Sequence, residues 1–170
     1  MHWKLDLSIR YALALLLGIF PAILYVIFAP LTLYPSYVLL KIFYNPALLG
    51  QAIKIDYYTL NFVPACVAVS AYILLAFLIL TTAKISWKRR IQLFIKGSIS
   101  ILALNLVRIV LLVIILIEYG QNYFEAIHLI FWQIIASVYV AAVWILLVKH
   151  SKIKATPVMD DFKTLRKRLH

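Results

Sequence analysis

The sequence predicts an all-α membrane protein: a bundle of about four transmembrane helices plus an external interfacial or re-entrant segment, with the N- and C-termini cytoplasmic. Three observations carry this expectation. Of the 170 residues, 65% are hydrophobic and only 14% are Asp, Glu, Lys or Arg, a balance outside that of soluble domains. Mean hydropathy is +0.98. Four apolar runs are long enough to cross a ~30 Å hydrocarbon layer as helices, and the basic residues fall almost entirely on one side of the topology these runs imply. A single membrane domain over residues 1–150 and a basic cytoplasmic tail over 151–170 follow.

The first run extends roughly from Ile9 to Phe28 and contains Pro21, expected to kink the helix without ending it, because neighbours in a bundle satisfy the freed carbonyl. The run exceeds the core of a cleaved signal peptide and no A-x-A-like site follows it, so a retained anchor is expected. The segment Pro30 to Tyr58 is apolar but interrupted by Pro30, Pro35, Lys41 and Pro46. It reads as an interfacial or re-entrant segment with Tyr34, Tyr37 and Tyr44 at headgroup level. Weak alternation over Ile53 to Leu60 suggests a short external strand. The remaining runs, Pro64 to Ala83, Ile91 to Ile117 and Ala126 to Val148, supply the second to fourth spans.

Orientation follows from the excess of Lys and Arg in cytoplasmic loops. Lys4 and Arg10 precede the first span; Lys84, Lys88, Arg89, Arg90 and Lys96 lie between the second and third; Lys149, Lys152, Lys154, Lys163, Arg166, Lys167 and Arg168 follow the fourth. Lys41 and Lys54 lie opposite. Making Pro30 to Tyr58 a further span would move Lys84 to Arg90 outside, against the rule. The formal charge of +11 is therefore assigned to membrane topology and to attraction for anionic lipid headgroups. Nucleic acid is not expected as a partner, because no stretch interleaves basic residues with exposed aromatics.

Three residues stand out chemically. Cys66 is the lone cysteine, which excludes an intramolecular disulfide and multi-cysteine zinc sites. It lies two residues after Pro64, at the outer end of the second span. His128 lies at the outer end of the fourth, so a thiol and an imidazole reach the same side of the membrane, as a nucleophile and its base require. Arg108 lies within the third span, where an ionisable side chain costs at least ~2.5–3.5 kcal/mol and needs a partner or a task. A guanidinium there can favour the thiolate and hold an oxyanion or a substrate carbonyl; pairing with Glu118 or Glu125, or snorkelling, is the structural alternative. Asn105 shares the face of Arg108 and is a supporting candidate that can orient the guanidinium or a backbone carbonyl. On the fourth span, His128, Trp132, Ile135 and Tyr139 share a face, with packing the expected role of Trp132 and Tyr139. Arg108 sits ten residues before Glu118, about 15 Å along an ideal helix, deeper than Cys66 or His128. The third run must therefore protrude or tilt if the three are to meet. No cofactor or metal is expected.

The stretches Pro64-Ala65-Cys66-Val67-Ala68 and Asn105-Leu106-Val107-Arg108-Ile109, followed by His128 entering the last span, resemble the signature of the exosortase/archaeosortase family of membrane-embedded sorting transpeptidases, over about Ile53 to Val148. The resemblance implies an active site facing outside at the plasma membrane. Cys66 would be the nucleophile that forms an acyl-enzyme, Arg108 the thiolate or oxyanion stabiliser and His128 the acid/base. Its implied substrates are surface proteins ending in a short motif, a transmembrane helix and a basic tail, and its implied acceptor is lipid-linked. Val67-Ala68 departs from the pattern, since many members carry a small polar residue and then glycine there. Two alternatives use the same residues: a hydrolytic intramembrane thiol protease, and a non-enzymatic transporter subunit with Arg108 as its anion site. Small residues such as Ala136, Ala141 and Ala142 would let a substrate helix approach closely.

Overall fold

A computed structural model describes residues 2–131, 136–153 and 156–169. Among these residues the chain is mostly helical, with eight α-helices and one small sheet: α1 His2–Ile19, α2 Ala22–Leu40, β1 Ala47–Leu49, β2 Ala52–Ile55, β3 Tyr58–Asn61, α3 Pro64–Val67, α4 Val69–Thr81, α5 Trp87–Tyr119, α6 Gln121–Ile130, α7 Ala136–His150 and α8 Met159–Leu169. Trp132 and Ile135 lie outside the described residues.

Helix α5 is the axis of the bundle. Its 33 residues extend about 50 Å at 1.5 Å per residue, and α2, α3, α4, α6 and α7 all pack on it. One core forms where α2, α4, α5 and α7 meet, around the fully buried Tyr72, Leu75 and Ile101, with Val140 and Trp144 closing it. The Tyr72 ring stacks on Phe28 with centroids 3.7 Å apart. A second core lies toward the sheet and joins Leu33 and Leu40 of α2, Ile53 and Ile55 of β2, and Ile109 and Val113 of α5. Cys66 packs against this second core.

Several expectations are corrected. The chain is not wholly α-helical: β1, β2 and β3 form a three-stranded antiparallel sheet in that order. The weakly alternating stretch near Ile53 is two strands joined by a two-residue turn, with Asp56 at φ 48°, a conformation that aspartate tolerates. The first run is broken rather than kinked, since α1 stops at Ile19 and a new helix starts after Pro21. Proline suits a helix start because its absent N–H would be unpaired there anyway. Pro30 and Pro35, by contrast, lie inside α2 and do not interrupt it. The proline-containing stretch as far as Leu40 is therefore helical, and only the part beyond it forms the sheet.

Four continuous crossings are not supported. Two helices, α2 and α5, are long and apolar enough to span a bilayer. The second run divides at Ala68, which adopts the left-handed conformation (φ 61°, ψ 38°) and leaves α4 with 13 residues, about 20 Å. The described parts of the fourth run belong to α6 and α7. The tail is not merely a solvated basic end: α8 docks back through a buried ion pair between Arg10 and Asp161, and the Val158 N–H donates to the Thr81 carbonyl at 2.9 Å.

These contacts gather one end of the molecule. Trp87 Nε1 donates to Asp6 at 3.0 Å, Thr82 bridges to Pro157, and Arg90 caps α4 by donating to the carbonyls of Ile79, Leu80 and Thr82. The start of α1, the α4–α5 connection and α8 thus share one end, and the sheet lies at the other.

Candidate active site

At the sheet end, Cys66, Arg108 and His128 line one cavity of about 290 Å³, together with residues 58–62 of the sheet and Ile109, Leu112, Leu116, Gln121 and Phe124. The structure brings all three candidate residues to this space. Asn105 lies just behind it, 1% exposed.

The placement of Cys66 begins with Val63, whose extended backbone and carbonyl start the short helix α3, with Pro64 in its first turn. The Cys66 and Val67 N–H groups donate to the Val63 carbonyl at 2.9 and 3.2 Å. The left-handed turn at Ala68 then breaks the helical ladder. Carbonyls at the end of a helix lack full intrahelical pairing: that of Ala65 keeps the Ala68 N–H at 3.3 Å, and α5 supplies further donors. Asn105 Nδ2 donates to the Cys66 carbonyl at 2.8 Å, and Arg108 Nη2 donates to the Ala65 carbonyl at 2.9 Å and the Cys66 carbonyl at 3.4 Å. Spacing of three residues places both donors on one face of α5. They grip the backbone that carries the thiol.

Arg108 is 5% exposed. Among the described residues no carboxylate pairs with it: both ion pairs belong to Arg10, and Glu125 instead accepts from Gln121 at 2.9 Å. Its Nε is buried without a partner among the described residues, so the guanidinium keeps donor capacity beyond the bonds to α3. Tyr139, expected only to pack, lies close enough to feel the Arg108 charge, and its hydroxyl is likewise buried without a described partner.

The depth conflict resolves through the turn at Gly120. There the chain reverses, at φ 85° and ψ 177°, a conformation open to glycine. Helix α6 then packs back along α5. Arg108 is twelve residues before this glycine and His128 eight after it, which is about 18 Å and 12 Å along ideal helices. Both side chains line the same cavity. The His128 ring lies 5.4 Å from that of Phe124, and its Nδ1 is buried with no partner among the described residues.

The Cys66 thiol is free and half-buried. Its S–H donates to the Asn61 carbonyl at 3.6 Å, and the neighbouring Phe62 carbonyl accepts from Tyr25 Oη of α2 at 2.6 Å. Asn61 was not legible as a site residue, because only the hairpin brings its carbonyl to the thiol. Among the described residues no three His, Cys, Asp or Glu side chains gather as metal ligands would. The assembled groups are those of thiol-based acyl transfer: a nucleophile on a fixed backbone, a cation beside it, and an imidazole across the cavity. Neither a protein-family model, nor a curated protein, nor a solved structure matches this chain.

Proposed function

We propose that the chain is a membrane-embedded cysteine transpeptidase or protease of the exosortase/archaeosortase type. It would cleave the C-terminal sorting signal of surface proteins and pass them to an acceptor, a lipid-linked amine or similar nucleophile. The observation that carries this reading is the meeting of Cys66, Arg108 and His128 at one cavity, although they come from three separate helices. A plasma-membrane location is supported by the apolar exterior of the helices, where Val26, Val38, Ile99, Ile145 and Leu146 are all more than half exposed. Such a surface suits lipid rather than water. The sheet end, with the cavity, would face outside and the basic end the cytoplasm.

In the reaction, the Cys66 thiol gives its proton to His128 and the sulfur attacks the carbonyl carbon of the scissile peptide bond. A C–S bond forms, the C–N bond breaks, and His128 delivers a proton to the departing nitrogen. The resulting thioester is attacked by the acceptor, whose proton passes to His128 as the C–S bond breaks. Arg108 keeps Ala65 and Cys66 in place while its positive charge favours the thiolate and the oxyanion. Its engagement with two carbonyls favours this role over that of a solute-binding anion site. Water would give a free carboxylate in the same site, and the lipid boundary disfavours that outcome by restricting hydration.

The test is processing of a co-expressed surface protein that ends in a motif, a transmembrane helix and a basic tail. Cys66→Ser, Arg108→Ala and His128→Ala are each expected to abolish processing without preventing membrane insertion, and a hydroxylamine-sensitive acyl adduct on Cys66 is expected in the wild type. Unchanged processing by Cys66→Ala would overturn the reading. An adduct on the new C-terminus distinguishes transfer from hydrolysis.

A further inference from the structure

The hairpin of β2 and β3 leaves one edge of the sheet open beside the thiol. β3 pairs with β2 on one side only. In a two-residue hairpin the pair flanking the turn exchanges main-chain bonds, and so does every second pair beyond it. With Ile55 opposite Tyr58 and Ile53 opposite Leu60, the main-chain groups of Tyr58 and Leu60 are directed at β2. The Phe62 N–H continues that series by donating to the Gln51 carbonyl at 3.1 Å. Those of Thr59 and Asn61 point the other way.

One of these outward groups is already engaged by the site. The Asn61 carbonyl accepts the Cys66 S–H at 3.6 Å and the Val63 N–H at 3.0 Å. Among the described residues nothing pairs with the Thr59 N–H, the Thr59 carbonyl or the Asn61 N–H. Residues 58–62 also form a wall of the cavity that Cys66, Arg108 and His128 share. An unpaired strand edge is a template for another chain, and this one ends on the sulfur.

We propose that the substrate binds as an added strand: an extended peptide segment pairs its main chain with Thr59 and Asn61, which carries the next carbonyl to Cys66. This deepens the transpeptidase reading and rests on it. Strand addition takes its affinity from main-chain bonds and its selectivity from alternate side chains. One set of side chains faces the wall of Ile109, Leu112, Leu116 and Phe124, so apolar residues are favoured at every second position. A helix cannot use this edge, so the segment read here is the extended stretch outside the substrate's transmembrane helix.

The lone cysteine makes the test direct, since every thiol label reports on Cys66. The full chain in lipid vesicles is treated with a mixture of acetyl-tetrapeptidyl vinyl sulfones randomised over apolar residues, and separately with methyl vinyl sulfone. Each rate is normalised to the rate with free glutathione. Two further peptide mixtures carry backbone N-methyl groups on one or the other alternating set of amides. The unmethylated peptides are expected to outpace methyl vinyl sulfone by about tenfold or more, the contribution of two main-chain hydrogen bonds. One methylated mixture loses that advantage and the other keeps it. Thr59→Pro removes an outward N–H while sparing the ladder to β2, so it should erase the advantage of the peptides over methyl vinyl sulfone measured on the same variant. If this variant misfolds, the methylated mixtures on the wild type decide. Equal behaviour of both methylated mixtures overturns strand addition alone. If the unmethylated peptides are no faster than methyl vinyl sulfone, the peptide-acting reading falls with it.

Discussion

Ala68 adopts φ 61° and ψ 38°, which costs an L-residue about 1–2 kcal/mol that glycine avoids. Under the proposed sorting-enzyme reading, the glycine that many members carry here would remove that cost at the turn whose Ala65 and Cys66 carbonyls Arg108 and Asn105 reach. Ala68→Gly is therefore expected to be about 1–2 kcal/mol less destabilising than Ala71→Gly. Both alanines are 4% exposed, so the lost methyl burial cancels, and thermal unfolding in detergent measures the difference. At Arg108, lysine offers a compact ammonium in place of a fork. Arg108→Lys should thus preserve neither the full grip on α3 nor processing, and should lower stability by about 1.5–3 kcal/mol, the scale of a hydrogen bond from a charged donor. Residue types and order made Cys66, Arg108 and His128 legible as a candidate site, and they line one cavity. Asn105 was legible as a donor to a backbone carbonyl, which it is at Cys66; the engagement of Arg108 with the same turn was not, because an alanine gives no sign that it will turn left-handed.

Among the elements, the long apolar run of α5 and the apolar character of α2 were readable, but their interruptions misled. Pro30 and Pro35 suggested a break, yet both lie inside α2 without ending it. Weak alternation over Ile53 to Leu60 marked strand there, but strands of three or four residues are too short for periodicity to give their number or the turn between them. Close packing of α5 on α4 depended on Gly97, where an added Cβ would lie 2.6 Å from Leu75 Cδ2 and 3.0 Å from Leu147 Cδ1. Leu75 is fully buried, so it has little room to yield. Gly97→Ala is expected to destabilise by about 1–3 kcal/mol through overpacking. Paired with Leu75→Ala, it should fall short of the sum of the two single effects, a coupling that a double-mutant cycle detects.

For the whole molecule, the distribution of Lys and Arg assigned the N-terminus, the α4–α5 connection and the tail to one side, and the contacts among Asp6, Trp87, Thr82 and Pro157 gather those segments at one end. The docking of α8 was hidden, because no local pattern links residues so distant in the chain. If the sheet end faces outside, a membrane-impermeant maleimide should label Cys66 on intact cells. In a Cys66→Ala background, Ser151→Cys should react only after permeabilisation. The reverse labelling pattern would refute the proposed orientation.

The Arg10–Asp161 pair spans 151 positions, with Arg10 3% exposed. During synthesis this cation emerges beside Asp6, its partner at 3.6 Å, and waits for nearly every later residue before Asp161 exists. The basic end therefore locks last. A ribosome stalled before Asp161 would leave that end held by Asp6 alone with its seam to α8 open, a mark by which cellular proteolysis could distinguish an unfinished polypeptide from a mature one.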